Sequence, residues 1–195
     1  VSEYNYALTE ATKQKLFGNY KQAAALYRKC IEVNPGSDAA HFQLSGLLMM
    51  ARDLEGAREM NEKAINLNPE NFWYRIQLGQ LYMISEDTDN ARLIYEGIVE
   101  KWPGKLDIKF ELARLYYETG SYSKALQVLD EIETENGIAE PVSLLKEQVY
   151  IKENKPEMAE RELQKLIELS PEEIRYLGIL AELYTTTGEK EKAIG

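Results

Sequence analysis

The side chains that most often carry chemistry are scarce in this chain: there is one histidine, His41, and one cysteine, Cys30. A zinc-type centre needs several His and Cys ligands at set spacing, so a His/Cys metal cluster is excluded, and a disulfide within the chain is impossible. At steps of 34 residues from Cys30 stand Ala64, Ile98, Ile132 and Leu166, an apolar series that predicts a buried, unreactive thiol. The same step from His41 meets Ala7, Arg75, Lys109 and Ser143, a mixed series that reads as partly exposed surface rather than a catalytic base. Carboxylates such as Glu131, Glu133 and Glu135 are paired by composition only, and no loop longer than a few residues is present to build a pocket around them. No catalytic, cofactor-binding or metal-binding residue is assigned, no cofactor is expected, and the chain reads as a non-enzyme.

The step of 34 is the organising feature of the sequence. Ala23 is followed by Ala57, Ala91, Ala125, Ala159 and Ala193, and the turn positions run Pro35, Pro69, Pro103, Gly137 and Pro171. Other columns keep the same register: Leu44, Leu78 and Leu112; Leu48, Tyr82, Tyr116, Tyr150 and Tyr184; Gly18, Gly120 and Gly188. A fixed period of this length marks an array of repeated supersecondary units.

Within each unit the apolar spacing is helical, with steps of three and four on both sides of a short polar break. First helices are predicted at 4–17, 38–51, 72–85, 106–119, 140–153 and 174–187. Second helices are predicted at 20–33, 54–67, 88–101, 122–135 and 156–168, with the last starting at 190. Gly in "FGNY", "TGSY" and "TGEK" ends first helices with positive φ. Pro in "NPG", "NPE", "WPG" and "SPE" moves the preceding residue out of helical geometry.

A 34-residue helix-turn-helix with a Leu-small pair, an aromatic four residues on, a small residue in the second helix and a closing Pro resembles the tetratricopeptide repeat. "LGQLY" (78–82), "LARLYYETGSYSKAL" (112–126) and "LAELYTTTGEKEKAI" (180–194) carry the resemblance. It implies an all-α, right-handed superhelical solenoid over residues 1–195, with repeats at 4–37, 38–71, 72–105, 106–139 and 140–173 and a truncated sixth at 174–195. The family is a scaffold for many partners, so the resemblance implies protein binding without naming the partner.

Each column also has a physical reason. The small residues Ala23, Ala57, Ala91, Ala125 and Ala159, with Gly79 and Ala113 on the first helices, stand where two helices must approach closely. Tyr82, Tyr116, Tyr150 and Tyr184 are placed in the larger space between pairs, each keeping a hydroxyl for a polar partner. Repeat one carries Glu10 and Lys13 where later repeats have Leu, which suits an outer face that meets water. Repeat five has Lys146 and Glu147 in place of the Leu-small pair, with Val142, Leu145 and Val149 carrying its apolar face; that helix is expected to be rotated or loosely packed. Repeat four closes with "ENGIAEP", so a turn of different shape is expected there.

The net charge is −10, with 10 basic against 13 acidic residues up to residue 97 and 13 against 20 beyond it. Nucleic acid and anionic membrane surfaces are disfavoured, because a phosphate backbone needs a concentrated basic face. No run approaches the roughly 20 apolar residues of a membrane span, so membrane insertion is not expected. The chain starts at Val1 and stops at Gly195 inside a helical pattern, which reads as a fragment or processed form. Cytoplasm and, if an export signal has been removed, periplasm are both open.

What remains is surface recognition. The resemblance implies that first helices line the concave side. There the fifth residue of each unit gives Leu8, Phe42, Ile76, Phe110, Leu144 and Gly178, and the twelfth Lys15, Met49, Met83, Tyr117, Ile151 and Thr185. Between them run Gln80, Arg114 and their equivalents, and Trp73 stands near the start of repeat three. The candidate peptide groove is therefore Phe42, Met49, Trp73, Ile76, Gln80, Met83, Phe110, Arg114, Tyr117, Leu144 and Ile151, part of which is expected to pack between adjacent helices. The Lys, Asn and Arg set with which some relatives grip a terminal carboxylate is absent: Leu8, Thr12, Gln43, Trp73 and Gln77 stand at those positions. The groove suits a protein or peptide partner, extended or helical. The alternative is a structural spacer or self-assembly module, with self-association through an uncapped C-terminal end, or fraying there beyond residue 187.

Overall fold

The computed structural model describes residues 2–188, which form eleven α-helices and, among those residues, no strand. First helices are α1 (Ser2–Leu16), α3 (Asp38–Met50), α5 (Phe72–Ile84), α7 (Leu106–Glu118), α9 (Glu140–Lys152) and α11 (Ile174–Thr187). Second helices are α2 (Tyr20–Val33), α4 (Leu54–Leu67), α6 (Thr88–Lys101), α8 (Tyr122–Asn136) and α10 (Pro156–Leu169). Predicted and observed limits agree within two residues. The second helix of repeat six, and the fraying or capping of that end, lie outside the described residues. The chain divides into two compact units, Val1–Ile98 and Val99–Gly195.

Five positions that follow a first helix by two residues have positive φ, Gly18 at 77°, Arg52 at 64°, Glu86 at 60°, Gly120 at 71° and Asn154 at 57°, and so does Gly188 at 84°, directly after α11. The next amide then reaches back around the helix end. Asp53 N donates to Leu48 O at 3.0 Å, Asp87 N to Tyr82 O at 2.9 Å and Ser121 N to Tyr116 O at 2.7 Å. This is the Schellman closure, which satisfies carbonyls left over at the helix terminus. Arg52 and Glu86 make the same turn without glycine's freedom, at about 1–2 kcal/mol of left-handed strain each. Replacing either with Gly is expected to raise stability by about 0.5–1 kcal/mol, the strain relief less the extra chain entropy of an unfolded glycine. The check is a higher denaturant midpoint at unchanged m-value; a lower midpoint for both changes would contradict it.

Ahead of the prolines, Asn34, Asn68 and Ser170 leave helical geometry, with φ near −140° and ψ of 87°, 79° and 76°, since the proline ring disfavours the helical region for the residue before it. The following helix is then started by a side chain that caps a free amide: Ser37 accepts from Ala40 N, Asn71 from Trp73 N and Glu173 from Arg175 N. Repeat four departs as expected. The helix α8 continues to Asn136, and Gly137 turns the chain at φ 84°, ψ −176°.

Packing follows the columns. Ala23, Ala57, Ala91, Ala125 and Ala159 are all fully buried. Gly79 shows why the first-helix partner must be small: a Cβ there would lie 2.7 Å from Cε2 of Tyr95. The core of the first unit includes Ala7, Ala11, Ala23, Tyr27, Cys30, Ala40, Leu44 and Leu47. Cys30 is buried as expected, and burial pushes its thiol pKa up. Asp38 ties neighbouring repeats together by accepting from Asn68 Nδ2 and Tyr74 Oη, both at 2.9 Å. Burial pushes the Asp38 carboxyl up, but those hydrogen bonds hold it below the usual carboxylate range, and Tyr74, desolvated beside the same carboxylate, rises to about 12.

Two expectations are corrected. The column of His41 is interior rather than surface: Ala7, His41, Lys109 and Ser143 are buried, and Arg75 half-buried. His41 keeps Nδ1 at 2.8 Å from Ser37 O, and Lys109 pairs with Glu135 at 2.8 Å, so local partners replace the water those groups lose. Nor is α9 rotated or loose. Val142, Leu145 and Val149 are buried as expected, and so is Lys146, whose side chain is only 2% exposed. Its ammonium donates to Asp130 at 2.6 Å and to Glu133; Glu133 also accepts from Lys165 at 2.8 Å, and Lys165 pairs with Glu162 at 3.0 Å. Desolvation opposes charging of both Lys146 and Glu133, and the ion pairs outweigh it, leaving the ammonium above and the carboxyl below their ordinary pKa values.

Candidate functional site

Within each unit the first helices form the inner layer. Helix α3 approaches α5, and α7 approaches α9, whereas among the described residues second helices do not meet one another to the same extent. The columns selected from the sequence lie on these inner helices.

In the first unit Trp73 is the most open of the apolar ones, 62% exposed, with its ring 4.5 Å from that of Phe72. Asn71, capping the start of α5, accepts from the Trp73 amide and fixes its backbone. Phe42, Met49 and Met83 are half-buried, Phe42 lying 4.8 Å from the Tyr74 ring, and Gln80 is exposed. Ile76 is buried and belongs to the packing between helices, so it presents no groove surface.

In the second unit Phe110 and Tyr117 are half-buried against the cluster of Ala113, Leu129, Ile132, Val142 and Leu145. Arg114 is exposed but engaged on its own helix, 3.2 Å from Glu111 and 3.4 Å from Glu118. Leu144 and Ile151 line a cleft of about 480 Å³ between α9 and α11, together with Glu147, Gln148, Ile179, Glu182, Leu183 and Thr186. Burial and the nearby Glu182 carboxylate both push the Glu147 pKa up. A larger hollow, about 610 Å³, lies along α8. Of its carboxylates, Asp130, Glu135 and Glu153 are matched by Lys146, Lys109 and Lys155, and Glu131 accepts from Gln127 Nε2 at 3.3 Å, so it is a mainly ion-paired, solvated groove.

The sequence columns thus led to Leu144 and Ile151 but missed the acidic residues between them. Glu147 was the available signal. Its column otherwise holds Ala11, Ser45, Gly79, Ala113 and Ala181, all small.

This arrangement of helical hairpins with a first-helix inner face is that of the tetratricopeptide repeat. A sequence model of that repeat matches residues 16–73 and 82–149, more than half of the chain, and the chain belongs to the tetratricopeptide repeat family. Among curated proteins no sequence matches it. A tetratricopeptide repeat protein from Parabacteroides merdae ATCC 43184 has a similar structure, with a TM-score of 0.83 at 18% identity over 100% of this chain and 77% of that one. YrrB, described as a tetratricopeptide repeat protein with an unusual peptide-binding site, gives 0.72 at 18% identity, covering 89% of each chain. MamA gives 0.77 at 15% identity over 89% of this chain and 95% of its own. Likeness at these identities establishes the fold, an all-α helical-repeat solenoid. No helix among the described residues is long and apolar enough to cross a membrane.

Proposed function

We propose that this chain is a non-enzymatic protein–protein interaction scaffold whose first-helix face receives an apolar segment of a partner, as an extended peptide or a helix. The observation that carries this reading is Trp73: a large apolar ring left 62% exposed on the inner layer, its backbone fixed by a cap. Half-buried Met49 and Met83 on the neighbouring inner columns are adaptable surfaces for such a segment. The family supports the reading as a class of interaction modules, and YrrB as a related fold described with a peptide-binding site. A net charge of −10 turns the surface away from nucleic acid and towards neutral or basic partners.

The spacer or self-assembly reading draws on Ile76, Phe42, Phe110 and Tyr117, since these columns are partly filled by the protein's own packing. Peptides selected against the immobilised chain from a random display library distinguish the two. Trp73→Ala is expected to weaken the selected peptides by about 1–4 kcal/mol with an unchanged melting temperature, as for an exposed hot-spot ring. Phe110→Ala is expected to lower the melting temperature as well. Selection of no peptide, or binding indifferent to Trp73, would leave the spacer reading.

A further inference from the structure

The cleft between α9 and α11 differs from the rest of the inner layer in its chemistry. Its walls are apolar, from Leu144, Ile151, Ile179 and Leu183, and two carboxylates stand among them, Glu147 and Glu182. They are close enough that the charge on Glu182 joins burial in raising the Glu147 pKa. Among the described residues no cation lines the cleft. Lys146, the neighbour of Glu147 in sequence, is committed to Asp130 and Glu133, and Arg175, near the start of α11, is 2.6 Å from Glu140. Gln148 and Thr186 on the same walls add neutral hydrogen-bonding groups.

Glu147 occupies the column where a small residue otherwise lets the two helices of a hairpin close: Ala11, Ser45, Gly79, Ala113 and Ala181. A half-buried carboxylate there, with a second one beside it, destabilises the unbound protein. Local rules are broken in this way at functional sites, where the unfavourable arrangement is relieved by a ligand. A cation placed between the two carboxylates removes their repulsion and, in a partly desolvated cleft, makes charge-assisted hydrogen bonds stronger than those at an open surface.

We propose that this cleft is a specificity subsite for a lysine or arginine side chain flanked by apolar residues in a partner peptide. The proposal rests on the peptide-binding reading and gives it a sign and a place. The apolar walls take the flanking side chains, Glu147 and Glu182 take the cation, and Gln148 and Thr186 are available to the peptide backbone. The cleft volume of about 480 Å³ lies within the usual range of small-ligand sites, enough for one long side chain and parts of its neighbours.

The test uses three fluorescein-labelled synthetic nonapeptides, identical with Leu on both sides of the central residue and Arg, Gln or Glu at that centre. Their dissociation constants for the full chain are measured by fluorescence anisotropy at low and high salt. The Arg-centred peptide is expected to bind about ten- to a hundredfold more tightly than the Gln-centred one, with the difference shrinking at high salt. The Glu147→Gln/Glu182→Gln variant should abolish that difference while melting no lower than wild type, since it removes a repulsive pair. Equal binding of Arg- and Gln-centred peptides to wild type overturns the proposal and leaves the peptide-binding reading standing. An Arg preference that survives in the double variant overturns it too. Absence of binding by any of the three, with no peptide recovered by display, overturns both.

Discussion

Glu133→Ile is expected to destabilise the second unit by about 3–5 kcal/mol, although isoleucine is what the repeat places in that column. The equivalent residues are Ile31, Ile65, Val99 and Ile167, and the column of Lys146 is, after Glu10 of the first repeat, Leu44, Leu78, Leu112 and Leu180. In the first unit Leu44 is in the core and Ile31 packs against the same cluster. Repeat four and repeat five therefore replace one apolar contact with an ion pair, and the single change leaves the Lys146 ammonium buried with only the exposed Asp130 as its partner. The double variant Glu133→Ile/Lys146→Leu restores the apolar contact and is expected to recover most of the loss, because Lys165 keeps Glu162 at 3.0 Å and Asp130 is solvated. The pH dependence has two limbs. Glu133, held below its ordinary value, contributes stability that is present above the unfolded carboxylate pKa of 4.5 and is lost as pH falls through the lower folded value. Lys146, held above 10.5, contributes below that pH and loses its share as pH rises through the folded value. Both limbs should flatten in the double variant. Equal unfolding midpoints for the single and double variants would show that the pair is not the coupled unit described.

Almost all of the backbone was legible in the sequence because each helix is specified several times over, by its apolar spacing, its stop signal and its place in the 34-residue period. Even the turn of repeat four followed from the missing proline, with Gly137 at φ 84° in its stead. The turns at Arg52, Glu86 and Asn154 show the period prevailing over local preference: none is glycine, and all adopt the conformation of Gly18 and Gly120.

Burial of polar groups was less legible, since a single column does not show what faces it. Lys146 was visible as a departure, but its compensation, Glu133, lies 13 residues earlier on another helix and becomes evident only when two columns are compared. His41 and Lys109 were misplaced for the same reason: their partners, Ser37 O and Glu135, neutralise the cost of burial without altering the residue pattern. Among the candidate site residues, Trp73 and Ile151 are exposed, Ile151 to 41%, while Ile76 is buried. An apolar residue on an inner helix satisfies the same pattern whether it faces a neighbouring helix or open space. The acidic pair at Glu147 and Glu182 was missed because each was assigned to a separate column before α9 and α11 were seen to share a cleft.

Tyr27→Ala is expected to cost about 3–5 kcal/mol in the first unit, and Tyr82→Ala less than half of that. The two residues carry the same ring in different surroundings. Tyr27 is 1% exposed, within the cluster formed by Ala7, Ala11, Ala23, Ala40 and Leu44, where alanines are too short to close over the space its ring would leave. The repeat places it opposite Ala11 as it places Tyr95 opposite Gly79, so the large second-helix residue is what the small first-helix residue makes room for. Tyr82 is only half-buried, its ring lying under the Arg58 guanidinium at 5.8 Å, and water can replace part of what truncation removes. Tyr27→Phe separates ring from hydroxyl. The phenol oxygen is 3.3 Å from Thr12 Oγ1, a long hydrogen bond to an exposed residue, so its loss should cost about 1 kcal/mol or less. Urea unfolding of the three variants provides the measurement. A Tyr82→Ala loss equal to or greater than that of Tyr27→Ala would show that the space between hairpins, rather than the size match within one, dominates the packing of this unit.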